Sequence, residues 1–230
     1  HSCRYCCLSV KGGLTLSDAV VGLDIGTSRI RAVIGEISDT GVLQITGVGT
    51  SSSNGLRKGV VVNIENTVRS ISQAVEAAEM MSGIEVSRCM IGIGGTHIDG
   101  LNSRGVVAVT GKGRDNREIG QDDITRVIDA AKAVVIPMDR QVLHVIPQSY
   151  IVDEQKGVKD PRNMIGVRLE SEVHIVTGSV TSVQNMVKCV NRASLNVDEY
   201  MLHALAAVKS VMTEEERELG SILIDLGGGT

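Results

Sequence analysis

The sequence predicts an α/β fold, and three of its features lead to this prediction. Hydrophobic residues make up 42% of the chain but include no Phe or Trp, so Val, Ile, Leu, Met and Ala must build the core. Such a core suits parallel strands that are buried on both faces. Short apolar runs bounded by turn residues alternate with stretches of helical periodicity. The length, 230 residues, is enough for one large domain or two small ones.

Charge and hydropathy argue against two classes of partner. The formal net charge is −4, without any block of five like charges, which disfavours nucleic acid and anionic membrane surfaces as direct partners of this chain. The longest apolar runs are far shorter than the ~20 residues that a membrane-spanning helix needs. We therefore expect a globular chain that does not span a bilayer.

The five cysteines fall into two groups. Cys89 and Cys189 lie in apolar periodic segments and are predicted to be small buried hydrophobic residues. The other three form a cluster beside His1: Cys3, Cys6 and Cys7. Such a cluster could hold zinc or form a disulfide, but no second ligand pair follows at zinc-finger spacing. We expect neither, and we interpret residues 1–17 as a disordered leader because they lack periodicity.

The first elements are predicted to form an antiparallel meander of three strands separated by turn residues, namely Val20–Ile25, Ile30–Ile37 and Val42–Val48. Apolar residues at helical spacing between Val68 and Met81 then predict a long amphipathic helix, and Gly83 supplies its stop.

The region from Val86 to Leu169 differs in texture and is interpreted as an inserted subdomain. It combines a polar loop at 113–116 and one helix after Gln121 with three short strands: Arg88–Ile93, Gly105–Thr110 and Val142–Ile146.

Beyond this region, the sequence predicts a strand, two helices, a linker and a last strand. The strand is Glu172–Gly178, and Thr181 with Gln184 forms a capping-box signature that opens the first helix. The second helix runs from Asp198 to Met212. The acidic run at 214–216 is predicted to be a solvated linker before a buried strand over 221–226.

Two glycine-rich loops, one near each end of the chain, carry the functional prediction. Each follows an apolar strand and begins with an Asp: Asp24-Ile25-Gly26-Thr27-Ser28 and Asp225-Leu226-Gly227-Gly228-Gly229-Thr230. Glycine permits positive φ and close approach of amide groups to phosphate oxygens, and the hydroxyl residues add donors. The carboxylates suit Mg²⁺ held through its water shell. Alone, each loop is more simply a tight turn with an Asx bond. Together they predict a clamp for the β- and γ-phosphates of a nucleotide.

These two loops resemble the phosphate motifs of the actin, Hsp70 and sugar-kinase superfamily. Four further segments resemble the FtsA family of bacterial actin-like cell-division proteins: GLRKGVVVNIENT, VLHVIPQSY, GVRLESEVHIVTG and MTEEERELG. The resemblance covers about 20–230. It implies an actin-like (ribonuclease H-like) ATPase domain with an inserted small α+β subdomain, cut off as the second half begins.

The resemblance also implies a division of the chain. A leader would cover 1–17, subdomain 1A would cover 18–85 and 170–213, the inserted subdomain 1C would cover 86–169, and subdomain 2A would begin over 214–230. In the superfamily, the first turn of a connecting helix holds a Glu or Gln that orients the attacking water. VDEYMLHALAAV resembles that helix and places Glu199 at this position. An acidic residue favourable to the helix dipole is the alternative role of Glu199.

Family membership implies a function. An FtsA-like protein would bind ATP with Mg²⁺, polymerise at the inner face of the cytoplasmic membrane at the division site, anchor FtsZ and recruit later division proteins through subdomain 1C. The FtsZ- and membrane-binding parts would lie outside this fragment. Nucleotide would act chiefly as an assembly switch, with weak hydrolysis at most. A small-molecule kinase of the same fold and a PilM-type pilus-assembly ATP-binding protein are the alternatives.

Other motifs fail on spacing. GIGGTH at 92–97 has His97 where the third Gly of a dinucleotide fingerprint belongs, and is predicted to be a strand end. GVVAVTGKG at 105–113 does not have the spacing of a Walker loop. The histidines are scattered without ligand spacing, so the only metal that we predict is nucleotide-bound Mg²⁺.

Overall fold

The computed structural model describes residues 19–110 and 118–229. The predicted leader with its three cysteines, the polar loop at 113–116 and Thr230 of the second glycine-rich loop therefore lie outside the described residues. Contacts divide the chain into two compact units. We call residues 19–98 with 178–229 the outer unit, and residues 99–177 the inserted unit.

The outer unit is built on a five-stranded sheet. Its strands are β1 (Val20–Ile25), β2 (Arg29–Ile37), β3 (Leu43–Ser52), β6 (Arg88–Ile93) and β11 (Asn196–Leu202), in the spatial order β11-β6-β1-β2-β3. The pairs β1–β2 and β2–β3 are antiparallel, whereas β6 runs parallel to both β1 and β11. The predicted antiparallel meander is confirmed, and the sheet is mixed. A small hairpin of β4 (Leu56–Arg57) and β5 (Val60–Val61) follows β3.

Helix α1 (Ile64–Ser82) covers one face of this sheet. Asn63 caps its start by accepting a hydrogen bond from the amide of Asn66 at 2.9 Å. Gly83, at φ 73°, closes its end in the left-handed conformation that favours glycine. The helix lies close to β3 because Gly47 and Gly49 present no side chain to its backbone. The predicted helix and its stop are confirmed.

The remaining helices of the outer unit are α3 (Val180–Arg192), α4 (His203–Val211) and α5 (Glu214–Leu219). Helix α3 begins with Ser179, whose hydroxyl accepts from the amide of Ser182 at 3.4 Å, so the predicted Thr181–Gln184 capping box is wrong. Helix α3 packs on α1 through a buried face that includes Val183, Met186 and Cys189.

Three predictions near the C-terminal end of the sequence are wrong. The first part of the predicted helix Asp198–Met212, residues 198–202, lies in strand β11, because it pairs with the otherwise free edge of β6, whereas α4 confirms the rest. Residues 214–216 open helix α5, since Thr213 and Glu216 form a capping box. Residues 221–226 are not a strand, and Ile222, Ile224 and Leu226 are 75–90% exposed. Among the described residues no strand pairs with this segment, and an isolated strand has no partner for its backbone groups.

The inserted unit contains a four-stranded sheet and one helix. The strands are β7 (Ile98–Ala108), β8 (Arg140–Val152), β9 (Gln155–Val158) and β10 (Arg168–Ser179), in the order β7-β10-β8-β9. Helix α2 (Gln121–Lys132) contributes Ile124, Val127 and Ile128 to a buried cluster that includes Tyr150 and Leu169. Gly105 allows β7 to lie against the backbone of this helix.

The boundaries of this unit differ from the predicted insert at 86–169. Strand β6 belongs to the sheet of the outer unit, where it lies between β1 and β11. Strand β10 belongs to the inserted unit, where it lies between β7 and β8. The compact unit therefore runs from Asp99 to Thr177, because sheet partners and not local texture decide which strands belong to it.

Candidate functional site

The first glycine-rich loop is a tight turn between β1 and β2. The amide of Gly26 donates to the carbonyl of Arg29 at 3.1 Å, and a Cβ on Gly26 would lie 2.7 Å from that same oxygen. Gly26 is not in the left-handed region, so close approach, and not the expected positive φ, requires glycine here. Within the described part of the chain, the amides of Thr27 and Ser28 donate no hydrogen bond. They remain available to an anion.

The carboxylate of Asp24 is already engaged by two side chains. Arg31, its cross-strand partner on β2, places Nη1 3.2 Å from Oδ2. His203, the first residue of α4, places Nε2 3.2 Å from Oδ1, although without the alignment of a hydrogen bond. The imidazole lies against the backbone of Gly92 and Gly94, where a Cβ would collide with its ring. Asp24 is thus held between two basic side chains, although 44% of its own side chain stays exposed.

The second loop contacts the first through its glycines. A Cβ on Gly228 would collide with Oγ of Ser28, and a Cβ on Gly229 would lie 2.5 Å from Oγ1 of Thr27. The structure therefore brings the two loops together, although they are far apart in the sequence. Asp225 and Gly227 belong to the same exposed segment. Asp225 forms no ion pair or hydrogen bond with the described residues, so the contact between the loops does not involve its carboxylate.

A third segment, the turn at Lys58 and Gly59 between β4 and β5, joins these loops. The amide of Gly59 donates to Oγ1 of Thr27 at 3.0 Å, and the carbonyl of Lys58 accepts from the amide of Thr96 at 3.2 Å. Gly229 also lies against this turn, since its Cβ would be 2.6 Å from Cα of Lys58. In the sequence, the signal for the turn is a Gly that follows two basic residues and precedes a short apolar run.

The predicted water-orienting residue Glu199 does not open a helix. It lies exposed on β11, opposite Met90 and beside an irregularity in the strand register. His203 occupies the first position of the helix that follows, and it is this residue that reaches Asp24. The sequence does not indicate where the strand ends and the helix begins, because apolar residues at helical spacing occur in both.

The glycines permit a test of whether a nucleotide fits this site. A Cβ on Gly228 or Gly229 would fall on a hydroxyl of the first loop, and among the described residues the amides of Thr27 and Ser28 donate to no acceptor. These features fit a phosphate group. A protein-only metal site does not fit, since the described residues contain no group of three or more His, Cys, Asp or Glu side chains able to hold a metal ion.

The two described cysteines are not part of the site. Cys89 and Cys189 are buried, as predicted, with exposures of 2% and 0%. Burial, with a smaller contribution from Asp198, raises the pKa of the Cys89 thiol to about 12. A thiol in this environment stays protonated at neutral pH and is a poor nucleophile.

Comparisons with known proteins agree with this geometry. The family description "SHS2 domain inserted in FTSA" matches residues 95–177, close to the bounds of the inserted unit. The cell division protein FtsA of Borreliella burgdorferi is 52% identical over 92% of this chain and 50% of its own length. FtsA of Pseudomonas aeruginosa is also 52% identical, over 92% of this chain and 49% of its own length. The chain thus spans about half the length of these curated relatives.

The fold has a counterpart among solved structures. A chain of the PilM-PilN type IV pilus biogenesis complex superposes with a TM-score of 0.55, covering 83% of this chain and 49% of that chain at 11% sequence identity. This likeness shows the actin-like fold alone. None of the helices within 19–110 and 118–229 is long and apolar enough to cross a membrane. With sequence identity of 52% to two FtsA proteins and a match to the family's own inserted domain, the chain belongs to the FtsA family.

Proposed function

We propose that this chain carries the phosphate-binding part of an ATP-dependent cell-division protein. The observation that supports the proposal most is the contact between the two glycine-rich loops, in which Gly228 and Gly229 lie against Ser28 and Thr27. Loops of this composition bind phosphate through amides and hydroxyls, and two of them on one site would hold a polyphosphate from both sides.

In this proposal the first loop supplies the amides of Thr27 and Ser28 and their hydroxyls to the phosphates. In the second loop, Gly227, Gly228 and Gly229 would let the backbone approach the phosphates closely, and Thr230 would add a hydroxyl donor. Asp225, exposed and without a partner among the described residues, is the carboxylate that would hold Mg²⁺ through water. Asp24 would join it only after its contacts with Arg31 and His203 rearrange.

The loops touch, so a phosphate between them requires them to separate. Nucleotide binding would then move the segment after α5 relative to the β1–β2 turn, which is how a nucleotide acts as a conformational switch. Hydrolysis would be weak, because Glu199 lies on a strand instead of opening a helix. We infer a structural protein switched by ATP, not a metabolic enzyme.

The cellular role follows from the relatives, whose names describe cell division. We propose that the whole protein polymerises at the inner face of the cell membrane at the division site and binds FtsZ there. The unit from Asp99 to Thr177 corresponds to subdomain 1C and would contact neighbouring protomers and later division proteins. Val135 and Met138, fully or almost fully exposed on its loop before β8, are apolar residues suited to such a contact.

A titration with a fluorescent ATP analogue tests the nucleotide site. The protein used should carry this sequence at the full length of the relatives, and the variant is Asp225→Asn. With Mg²⁺ present, the variant should bind about tenfold more weakly, whereas with Mg²⁺ chelated it should bind like the unmodified protein. The matched control is Glu214→Gln, which removes one exposed acidic charge on α5. Absence of ATP binding by the unmodified protein would overturn the proposal.

A sedimentation experiment tests the division role. The same protein should pellet with FtsZ polymers and should not bind PilN, the partner that names the PilM complex. The opposite result would favour a pilus-assembly role. At present no observation favours that role, because the likeness to the pilus complex is at 11% identity and concerns the fold only.

A further inference from the structure

The turn at Lys58 and Gly59 is held in a conformation that its sequence does not favour. It joins the antiparallel strands β4 and β5 as a two-residue loop, with φ of 51° at Lys58 and 75° at Gly59. Positive φ at both central residues is the type I′ pattern, in which Asn and Gly are the usual residues. A lysine there is strained, and such strain persists only where the surroundings determine the backbone position.

Three neighbouring segments determine that position. Oγ1 of Thr27 accepts from the amide of Gly59, and the amide of Thr96 donates to the carbonyl of Lys58. Gly59 also packs against the backbone of Gly95, where a Cβ would lie 2.5 Å from its Cα. The Cα of Lys58 is therefore fixed relative to the first glycine-rich loop.

Among the described residues, no acidic side chain pairs with the charge of Lys58. Its side chain is exposed and forms no ion pair or hydrogen bond with the residues of 19–110 and 118–229. Asp24, the acidic residue of the first glycine-rich loop, is already engaged by Arg31 and His203. The Cα of Lys58 lies directly against Gly229 of the second loop. The side chain of Lys58, with its ammonium group, therefore starts from a Cα that lies where the two loops meet.

We propose that Lys58 binds the terminal phosphate of the nucleotide and that its turn is a third phosphate-binding segment of the site. This inference rests on the proposed nucleotide site and deepens it. A mobile cation would add attraction for the extra charge of a triphosphate, whereas the backbone donors of the glycine loops serve any polyphosphate. Lys58 would therefore favour ATP over ADP.

Affinities for fluorescent ATP and ADP analogues, measured with Mg²⁺ at the full length of the relatives, test this inference. Lys58→Met keeps the length of the side chain and removes the charge. It should weaken ATP binding roughly ten- to hundredfold, the usual effect of losing one charge-assisted hydrogen bond, and ADP binding less than about threefold. Lys58→Arg should restore most of the preference for ATP. Lys188→Ala, on the exposed face of α3, is the matched loss of one lysine and should leave both affinities unchanged.

A glycine variant separates the charge from the backbone. Lys58→Gly relieves the positive φ, so it should unfold at the same temperature as the unmodified protein or above it, yet lose ATP affinity like Lys58→Met. Equal weakening of ATP and ADP, or no change in either, would overturn the role of Lys58 and leave the nucleotide site standing. If the unmodified protein binds neither nucleotide, both the site and this role are wrong.

Discussion

The backbone of Gly228 lies against the hydroxyl of Ser28 so closely that no Cβ could be placed on it. These residues belong to loops near opposite ends of the sequence, and their contact is what makes one site out of two ordinary turns. A third segment, the Lys58–Gly59 turn, is hydrogen-bonded to Thr27 of the first loop.

Replacing Gly228 by Val should therefore weaken nucleotide binding. The added side chain would collide with the Ser28 hydroxyl and hold the second loop away from the first, so we expect a loss of about tenfold or more in ATP affinity. The free energy of unfolding should change by less than about 0.5 kcal/mol, because Gly228 lies in an exposed segment that can shift away from Ser28. Leu226→Ala, at an 87% exposed position of the same loop, is the control. A titration unchanged by Gly228→Val would contradict the assignment of this loop.

Two glycines of the outer sheet should respond in opposite ways to Ala. In Gly49→Ala, the new Cβ would meet the backbone of α1, 2.6 Å from the amide nitrogen of Ala78, and no rotamer can avoid it. We expect a loss of about 2 kcal/mol or more, with a fall in Tm of about 2–4 °C for each kcal/mol. Gly22→Ala meets nothing within 4 Å and should be neutral or slightly stabilising. Equal effects in urea unfolding would show that β3 and α1 do not approach so closely.

The stability of the inserted unit should depend on pH through Asp123. Burial by itself would raise the pKa of this carboxyl, but hydrogen bonds from Gly120 and Thr110 and the charge of Arg126 outweigh it and lower the pKa. Arg126 Nη1 lies 2.9 Å from its Oδ1. Because the pKa is lower in the folded state, ionised Asp123 stabilises the fold at pH values above the pKa of an unfolded Asp, about 3.9. This stabilisation is lost as the pH falls through the pKa of the folded state.

Asp123→Asn should therefore cost about 1–3 kcal/mol near neutral pH, and the difference from the unmodified protein should shrink towards pH about 2. Urea unfolding across this range measures it, with Asp139→Asn, an exposed position, as the control. A cost that is independent of pH would mean that the charge of Asp123 does not stabilise the unit.

The start of α3 distinguishes two possible caps. Ser179 accepts from the amide of Ser182 at 3.4 Å, so Ser179→Ala should cost about 0.5–1 kcal/mol, the low end for a lost N-cap. Thr181 is exposed within the first turn, and Thr181→Ala should change stability by less than about 0.5 kcal/mol. Thermal unfolding of both variants decides between them. A larger effect at Thr181 would restore the capping box that the sequence pattern indicates.

Prediction from the sequence was most successful where local pattern and fold agree. Strand β1, the meander that it opens and helix α1 with its Gly83 stop follow directly from alternation, turn residues and helical spacing. It failed at residues 198–202, where apolar residues at helical spacing pair with β6 instead. Strand pairing between distant segments overrides a weak local preference, and a short stretch of sequence gives no information about such pairing.

By itself, the sequence determined the α/β class, the two glycine-rich loops, the buried cysteines and the resemblance to the FtsA family. Tertiary structure alone decided that Gly228 and Gly229 meet Ser28 and Thr27, that Lys58 joins them, and that His203 instead of Glu199 reaches Asp24. The physical reason is the sequence separation of the residues that interact. Turns and amphipathic faces are set by neighbours a few residues apart, whereas a site built from distant loops exists only after sheet pairing has fixed where each strand ends.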